Sequence, residues 1–220
     1  MRNAVVESVV FGVVLALLLF GSAGTLAWPM AWALMAVFAL FSIAGFALLP
    51  VELIVERSRL PADARPVDLL ISGLAMLLLM PVTAVVSGLD VRWQWSPALP
   101  AAVRGAALAM FTLGYAVSLW AAWANPFFSA VVRIQRERGH RVITRGPYAF
   151  VRHPGYAGPI LAHVCLPLAL GSLWGLLPAL AGCACLVLRI GFEERMLRTE
   201  LAGYPEYAQR VRWRLLPYVW

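Results

Sequence analysis

Four apolar blocks, at 5–28, 29–50, 67–88 and 100–123, constrain this chain more than anything else in it. Each is close to the ~20 residues that cross a ~30 Å hydrocarbon core as a helix. A backbone in lipid must satisfy its own hydrogen bonds, so a span is either a helix or a strand of a closed barrel. Blocks of this length and apolarity read as membrane-spanning helices. Apolar residues make up 62% of the 220 and charged residues 13%, against ~25% charged in soluble domains. The reading is an all-α integral membrane protein.

A fifth block, 157–188, is longer than one span and is broken between Gly171 and Gly175. It reads as a helical hairpin whose first arm, ending at Leu170, is short for a full crossing, so a tilted or incomplete one is expected. The expected architecture is about four transmembrane helices at 1–124. A C-terminal region at 125–220 carries the hairpin, within one integrated domain. The first block is too long for the ~7–15-residue core of a secretory signal and leads almost directly into the next, so it is read as retained.

Every basic residue is arginine, and the net charge is +7. Arg2, then Arg57, Arg59 and Arg65, then the arginines from Arg133 to Arg152, then those from Arg189 to Arg214 fall on one side of the predicted spans. Arg92 and Arg104 fall on the other. The positive-inside rule makes the crowded side cytoplasmic, with both termini on it. This accounts for the net charge together with attraction to anionic membrane lipids, and nucleic-acid binding is not inferred. Trp93, Trp95, Trp213 and Trp220 stand where interfacial anchors are expected.

Several chemistries are excluded. No Walker loop, dinucleotide fingerprint, zincin motif or nucleophile elbow occurs in the sequence. Cys165, Cys183 and Cys185 lie in the hairpin without zinc spacing and read as small apolar groups. His163 and Ser172 are not read as a protease pair; His163 is expected to bond across a helix interface.

The chemistry therefore concentrates after Asn125. Arg145-Gly-Pro-Tyr148 and Arg152-His-Pro-Gly-Tyr156 place His, Tyr and Arg beside helix breakers, where irregular backbone can line a polar pocket. Arg189, Glu193 and Glu194 follow the hairpin, and Tyr204 and Tyr207 follow them. Ionisable groups beside hydrocarbon are costly and read as functional by default. Taken alone, Arg189 and Glu193 would be a helix-surface ion pair at i, i+4. Tyr204 and Tyr207 read as interfacial belt residues, and 210–220 as an amphipathic anchor.

In order and wording these elements resemble the isoprenylcysteine carboxyl methyltransferase family of integral membrane enzymes and its bacterial relatives. Gly146-Pro-Tyr148, Arg152-His-Pro-Gly-Tyr156, the hairpin, Glu193-Glu194 and Tyr204-Pro-Glu-Tyr207 carry the resemblance, which covers 125–220. It implies S-adenosylmethionine as methyl donor in a cytoplasmic pocket. It also implies a lipophilic carboxylate as acceptor, a prenylcysteine carboxyl group being the type, and a home in a bacterial cytoplasmic membrane. Carried over residue by residue, the cofactor contacts fall on His140, Arg141, Val142, Ile143, Tyr148, His153, Pro154, Gly155, Tyr156 and Glu193, with Gln135 as a further contact. The substrate-side arginine falls on Arg189, and Arg189 and Glu193 are the catalytic pair. The residue types suit such a donor: Glu193 offers a carboxylate, His153 and Arg141 offer cationic or neutral donors, and Tyr148 and Tyr156 offer flat faces. Two rivals stay open. One is a membrane reductase using NADPH; the other is a non-enzymatic ligand-binding protein of the same fold.

Overall fold

A computed structural model describes residues 2–57 and 66–220, and Arg59 and Arg65 lie outside them. The described residues form helices and irregular segments, with no strand among them. The helices are α1 (Arg2–Ala23), α2 (Pro29–Leu48), α3 (Val51–Arg57), α4 (Pro66–Trp93), α5 (Ala101–Ala124), α6 (Pro154–Leu170), α7 (Leu176–Glu200) and α8 (Tyr204–Arg210). Five of them, α1, α2, α4, α5 and α7, are long and apolar enough to cross a membrane. Helix α6 has 17 residues, which at ~1.5 Å per residue reaches ~25 Å, short of the hydrocarbon core as its composition implied. Large apolar side chains point outward along the spans, among them Val9, Leu17, Leu40, Ile43, Leu70 and Leu180. In water such a surface would aggregate, whereas against lipid it costs nothing. The protein is an integral membrane protein.

Proline sets many of the helix starts. Pro29, Pro66 and Pro154 each open a helix, where a missing N–H is no loss and the fixed φ suits the first turn. The hairpin turns at Gly171, whose φ of +88° closes α6 in the left-handed conformation that glycine adopts without strain. Pro81 lies inside α4, and a π-helical turn at Leu78–Val82 absorbs it.

Span boundaries depart from the sequence reading where polar residues are satisfied locally. Helix α4 runs on to Trp93 instead of ending at 88. Asp90 accepts from the Ser96 amide at 2.7 Å, from the Ser96 hydroxyl at 2.6 Å and from Ser172, so a carboxylate there does not stop the helix. Helix α7 continues past the apolar block to Glu200, carrying Arg189, Glu193 and Glu194 on a continuous helix. Helix α1 ends early, at Ala23, because Gly24 turns the chain with φ +67°.

The most extensive packing is α5 on α6. A Cβ on Gly114 would sit 2.5 Å from the Gly158 carbonyl oxygen, and one on Gly158 would sit 2.5 Å from the Gly114 oxygen. Two glycines let the backbones touch, the small-residue packing that holds membrane helices together without a hydrophobic driving force. An apolar core joins α1, α2, α4, α5 and α6 through Leu15, Leu19, Leu34, Met80, Phe111 and Leu166. Alternating helix directions bring the start of α4, the ends of α5 and α7, the start of α6 and the 125–153 segment to one face. Trp93, Trp95 and Trp174 cluster on the other.

Candidate functional site

The segment after α5 is irregular but tightly tied. Gln135 is fully buried, its amide donating to the Phe127 carbonyl at 2.8 Å and its side-chain oxygen accepting from Arg138. Its backbone N–H reaches His140 Nδ1 at 3.3 Å. His140 stacks on Phe127 with ring centroids 4.6 Å apart. Burial, and then the charges of Arg133 and Arg138, lower the His140 pKa. A neutral ring accepting at Nδ1 carries its proton on Nε2, so His140 is a donor there.

The following turn inserts Tyr148. Its hydroxyl accepts from Asn125 at 3.2 Å and its carbonyl accepts from the Tyr207 hydroxyl at 2.7 Å. Burial raises the Tyr148 pKa, so the phenol is neutral and has its own proton left to donate.

Arg152 and His153 then divide the two glutamates of α7 between structure and cavity. Arg152 grips Glu194 with two parallel bonds, Nε at 2.7 Å and Nη2 at 3.0 Å, and gives Nη1 to the carbonyls of Val211 and Arg212. Tyr204 donates to the same carboxylate at 2.6 Å. Glu194 is 3% exposed and its charge is fully used. Glu193 faces the other way: Tyr156 donates to its Oε2, and its Oε1 lies 4.0 Å from His153 Nδ1. The His153 Nε2 reaches Glu194 at 3.4 Å.

Two readings of the C-terminal part are corrected here. Tyr204 and Tyr207 are buried, at 4% and 2% exposure, because their hydroxyls have partners inside; they are not belt residues. The tail after Val211 is no amphipathic helix. Its carbonyls at Trp213 and Arg214 accept from the amides of Arg152 and His153, both at 2.9 Å, which straps it across the motif.

Arg189 does not pair with Glu193. It donates to Asp68 of α4 from Nε at 2.7 Å and Nη2 at 3.1 Å, and to the Ala130 carbonyl at 2.6 Å. Asp68 in turn accepts from the Val132 amide at 2.9 Å. The guanidinium is thus fixed by three hydrogen bonds to α4 and the 125–153 segment, and its Nη1 has no partner among the described residues.

One cavity of about 800 Å³ collects these groups, within the ~300–1,000 Å³ of small-molecule sites. His140, Arg141, Val142, Ile143, Tyr148, His153, Gly155, Tyr156, Arg189 and Glu193 all line it. Gln135 and Pro154 do not. Gln135 is spent on holding the loop, and Pro154 is buried as the first residue of α6. Arg141 is exposed at the cavity edge and has no partner among the described residues. From this polar end the cavity continues between the spans, lined by Phe11, Phe38, Met76, Leu79 and Tyr115. His163 and Ser172 are engaged apart, His163 with the Pro159 carbonyl and Met80, Ser172 with Asp90 and the Gly175 amide.

Asp68 and Asn125 were not singled out as site residues from the sequence, and Arg152 and Glu194 were read as parts of motifs without a role of their own. Asp68 carried a signal, being a lone carboxylate at the mouth of an apolar span that needed a cationic partner.

Residues 103–202 match a family model described as phospholipid methyltransferase. Over 99 residues the chain is 35% identical to a probable protein-S-isoprenylcysteine O-methyltransferase of Oryza sativa, in both the indica and japonica subspecies. That stretch is 40% of this chain and 47% of the relative. It is 32% identical over 90 residues to protein-S-isoprenylcysteine O-methyltransferase B of Arabidopsis thaliana, covering 40% of this chain and 46% of that one. The chain spans about half the length of the curated relatives it matches. The family match runs from α5 through the motif and the hairpin, the part that builds the polar end of the cavity.

Proposed function

We propose that this protein transfers a methyl group from S-adenosylmethionine to a carboxylate on a lipophilic acceptor, of the kind a prenylated cysteine presents. The observation that carries the reading is the single cavity joining a polar pocket to an apolar arm at the level of the spans, with Arg189 beside both. The polar end fits the donor's chemistry. Glu193 keeps carboxylate capacity for a cationic group, Arg141 is an unpaired cation for a carboxylate, His140 and Tyr148 are neutral donors, and Tyr156 is a flat wall. Bound there, S-adenosylmethionine supplies an electrophilic methyl on sulfonium sulfur, so that the S–C bond breaks as an acceptor oxygen forms the O–C bond.

The chain's own contribution is placement and dryness. Asp68 and the Ala130 carbonyl hold the Arg189 guanidinium rigid, leaving Nη1 to bind one oxygen of an acceptor carboxylate while the other stays free to attack. A carboxylate is ionised at neutral pH, so no general base is required. Holding nucleophile and methyl in line away from water is worth several kcal/mol of barrier. Arginine crowding on the motif face supports a cytoplasmic pocket with both termini on the same side.

The test is transfer of labelled methyl from S-adenosylmethionine to farnesylcysteine by the purified protein. The expected product releases its label in mild alkali, as a methyl ester does. Base-stable label, or no transfer to this or any lipophilic carboxylate, would overturn the reading. Binding of NADPH with no binding of the donor would point to a reductase instead.

A further inference from the structure

Arg57 belongs neither to the glutamate network nor to the Asp68 pair, yet it lines the same cavity. It is the last residue of α3, and its side chain is exposed within the cavity. The guanidinium carbon lies 4.7 Å from the centre of the Phe128 ring, within cation–π range. No carboxylate pairs with it among the described residues. Its neighbour Glu56 is committed to Arg133 at 2.8 Å, and Asp68 to Arg189. The difference shows in the electrostatics. Hydrogen bonding to Glu56 holds Arg133 above the ordinary arginine range. Burial, and then the charge of Arg189, hold Arg57 below that range, with Tyr148 opposing. Arginine does not give up its proton in a protein, so Arg57 is an uncompensated cation turned into the cavity. Such a group is costly beside hydrocarbon until an anion meets it.

The same stretch of chain holds both arginines of the cavity wall. Phe128, under Arg57, is pressed on the start of α6, where a Cβ on Gly155 would sit 2.3 Å from its ring. Two residues on, the Ala130 carbonyl accepts from Arg189 at 2.6 Å. Two residues of chain reach at most ~7 Å, so the two guanidinium groups border one small volume. Their roles there differ. Arg189 is neutralised by the two bonds it gives Asp68 and offers direction without net charge. Arg57 offers charge without a partner.

We infer that Arg57 is the counter-charge of the acceptor carboxylate, binding it beside Arg189 and selecting an anionic acceptor over a neutral one of the same shape. This rests on the proposed methyl transfer and names the residue that sets its acceptor class. A carboxylate has about four lone-pair sites, so bonds from two arginines leave one to attack the methyl group. Forming the O–C bond removes the charge of the carboxylate. The ester no longer answers Arg57, and the product is bound more weakly than the substrate it came from.

The test is calorimetric titration of N-acetyl farnesylcysteine, its carboxamide and its methyl ester into the detergent-purified protein. Affinity for S-adenosylhomocysteine and methyl transfer to the acid are read beside it. The wild-type protein should bind the acid at least about tenfold more tightly than either neutral compound. Arg57→Gln should remove that difference, Arg57→Lys should keep most of it, and S-adenosylhomocysteine should bind all three proteins alike. Equal affinity for acid and amide in the wild-type protein, or a preference that survives Arg57→Gln, overturns the inference and leaves methyl transfer standing. Loss of S-adenosylhomocysteine affinity in Arg57→Gln places Arg57 on the donor and also overturns it. Binding of the acid that depends on Arg57, with no methyl transfer, supports the inference and overturns the proposed reaction. Binding of none of the three compounds overturns both.

Discussion

Glu193 and Glu194 are adjacent in sequence and about 100° apart around α7, and that angle sends one into the cavity and the other into the protein. Glu194→Gln should lower stability by about 3–5 kcal/mol, because Arg152 is left buried without its counter-charge; a thermal shift in detergent reads it. Glu193→Gln should move stability by less than about 1 kcal/mol and act on ligand binding. Asp68→Asn should lower turnover of the acceptor while donor affinity holds, since Arg189 loses the carboxylate that aims it; a loss of donor affinity instead would place Arg189 in the donor pocket. His140 makes a pH prediction. Its pKa is lowered in the folded protein from the ordinary 6.5, so the unfolded chain binds more protons there and stability rises with pH across that interval. Its contribution is complete above 6.5 and is lost as pH falls through the folded value. His140→Phe, which keeps the stacking on Phe127, should flatten the acid side of the stability profile. At this scale the motif residues were legible because their types and order are unusual beside apolar sequence. Asp68 and Asn125 were not, since Asp68 meets Arg189 only after helices distant in sequence have packed, and Asn125 meets Tyr148 only once the irregular segment folds back on the end of α5.

Helices meet here through backbone as much as through side chains. Gly158→Ala would place a methyl 2.4 Å from Ser118 Oγ and 2.5 Å from the Gly114 oxygen, so α5 and α6 must separate. Overpacking of this kind costs about 1–3 kcal/mol. Gly73→Ala, where a Cβ meets nothing within 4 Å, should instead be neutral or stabilising by up to about 1 kcal/mol. Comparing the two substitutions by thermal unfolding checks the close approach, and equal effects would contradict it. The spans were legible from length and apolarity, and the hairpin from Gly171. Their ends were less so, because Asp90, Arg189 and Glu194 look like helix-ending charges until their partners are known. The burial of Tyr204 and Tyr207 was hidden for the same reason: it depends on Glu194 and the Tyr148 carbonyl, which the linear order does not bring near.

For the molecule as a whole, the arginines among the described residues crowd the face that carries the cavity, and of these only Arg92 and Arg104 lie on the other. A reporter fused to the C-terminus should therefore be active in the cytoplasm, and activity only outside it would reverse the topology and the side from which a soluble donor enters. The one-sided charge was plain in the sequence. The single cavity from Arg141 to His163 was not, because it is made of the gaps between five spans and a loop. The central claim is that the polar end of that cavity binds the methyl donor through Glu193. Calorimetric titration of S-adenosylhomocysteine into the detergent-purified protein tests it most directly, with Glu193→Gln in parallel. Saturable binding that weakens at least about tenfold in the variant, equivalent to about 1.4 kcal/mol, is the predicted result. No binding to the wild-type protein, or equal affinity in the variant, would contradict it.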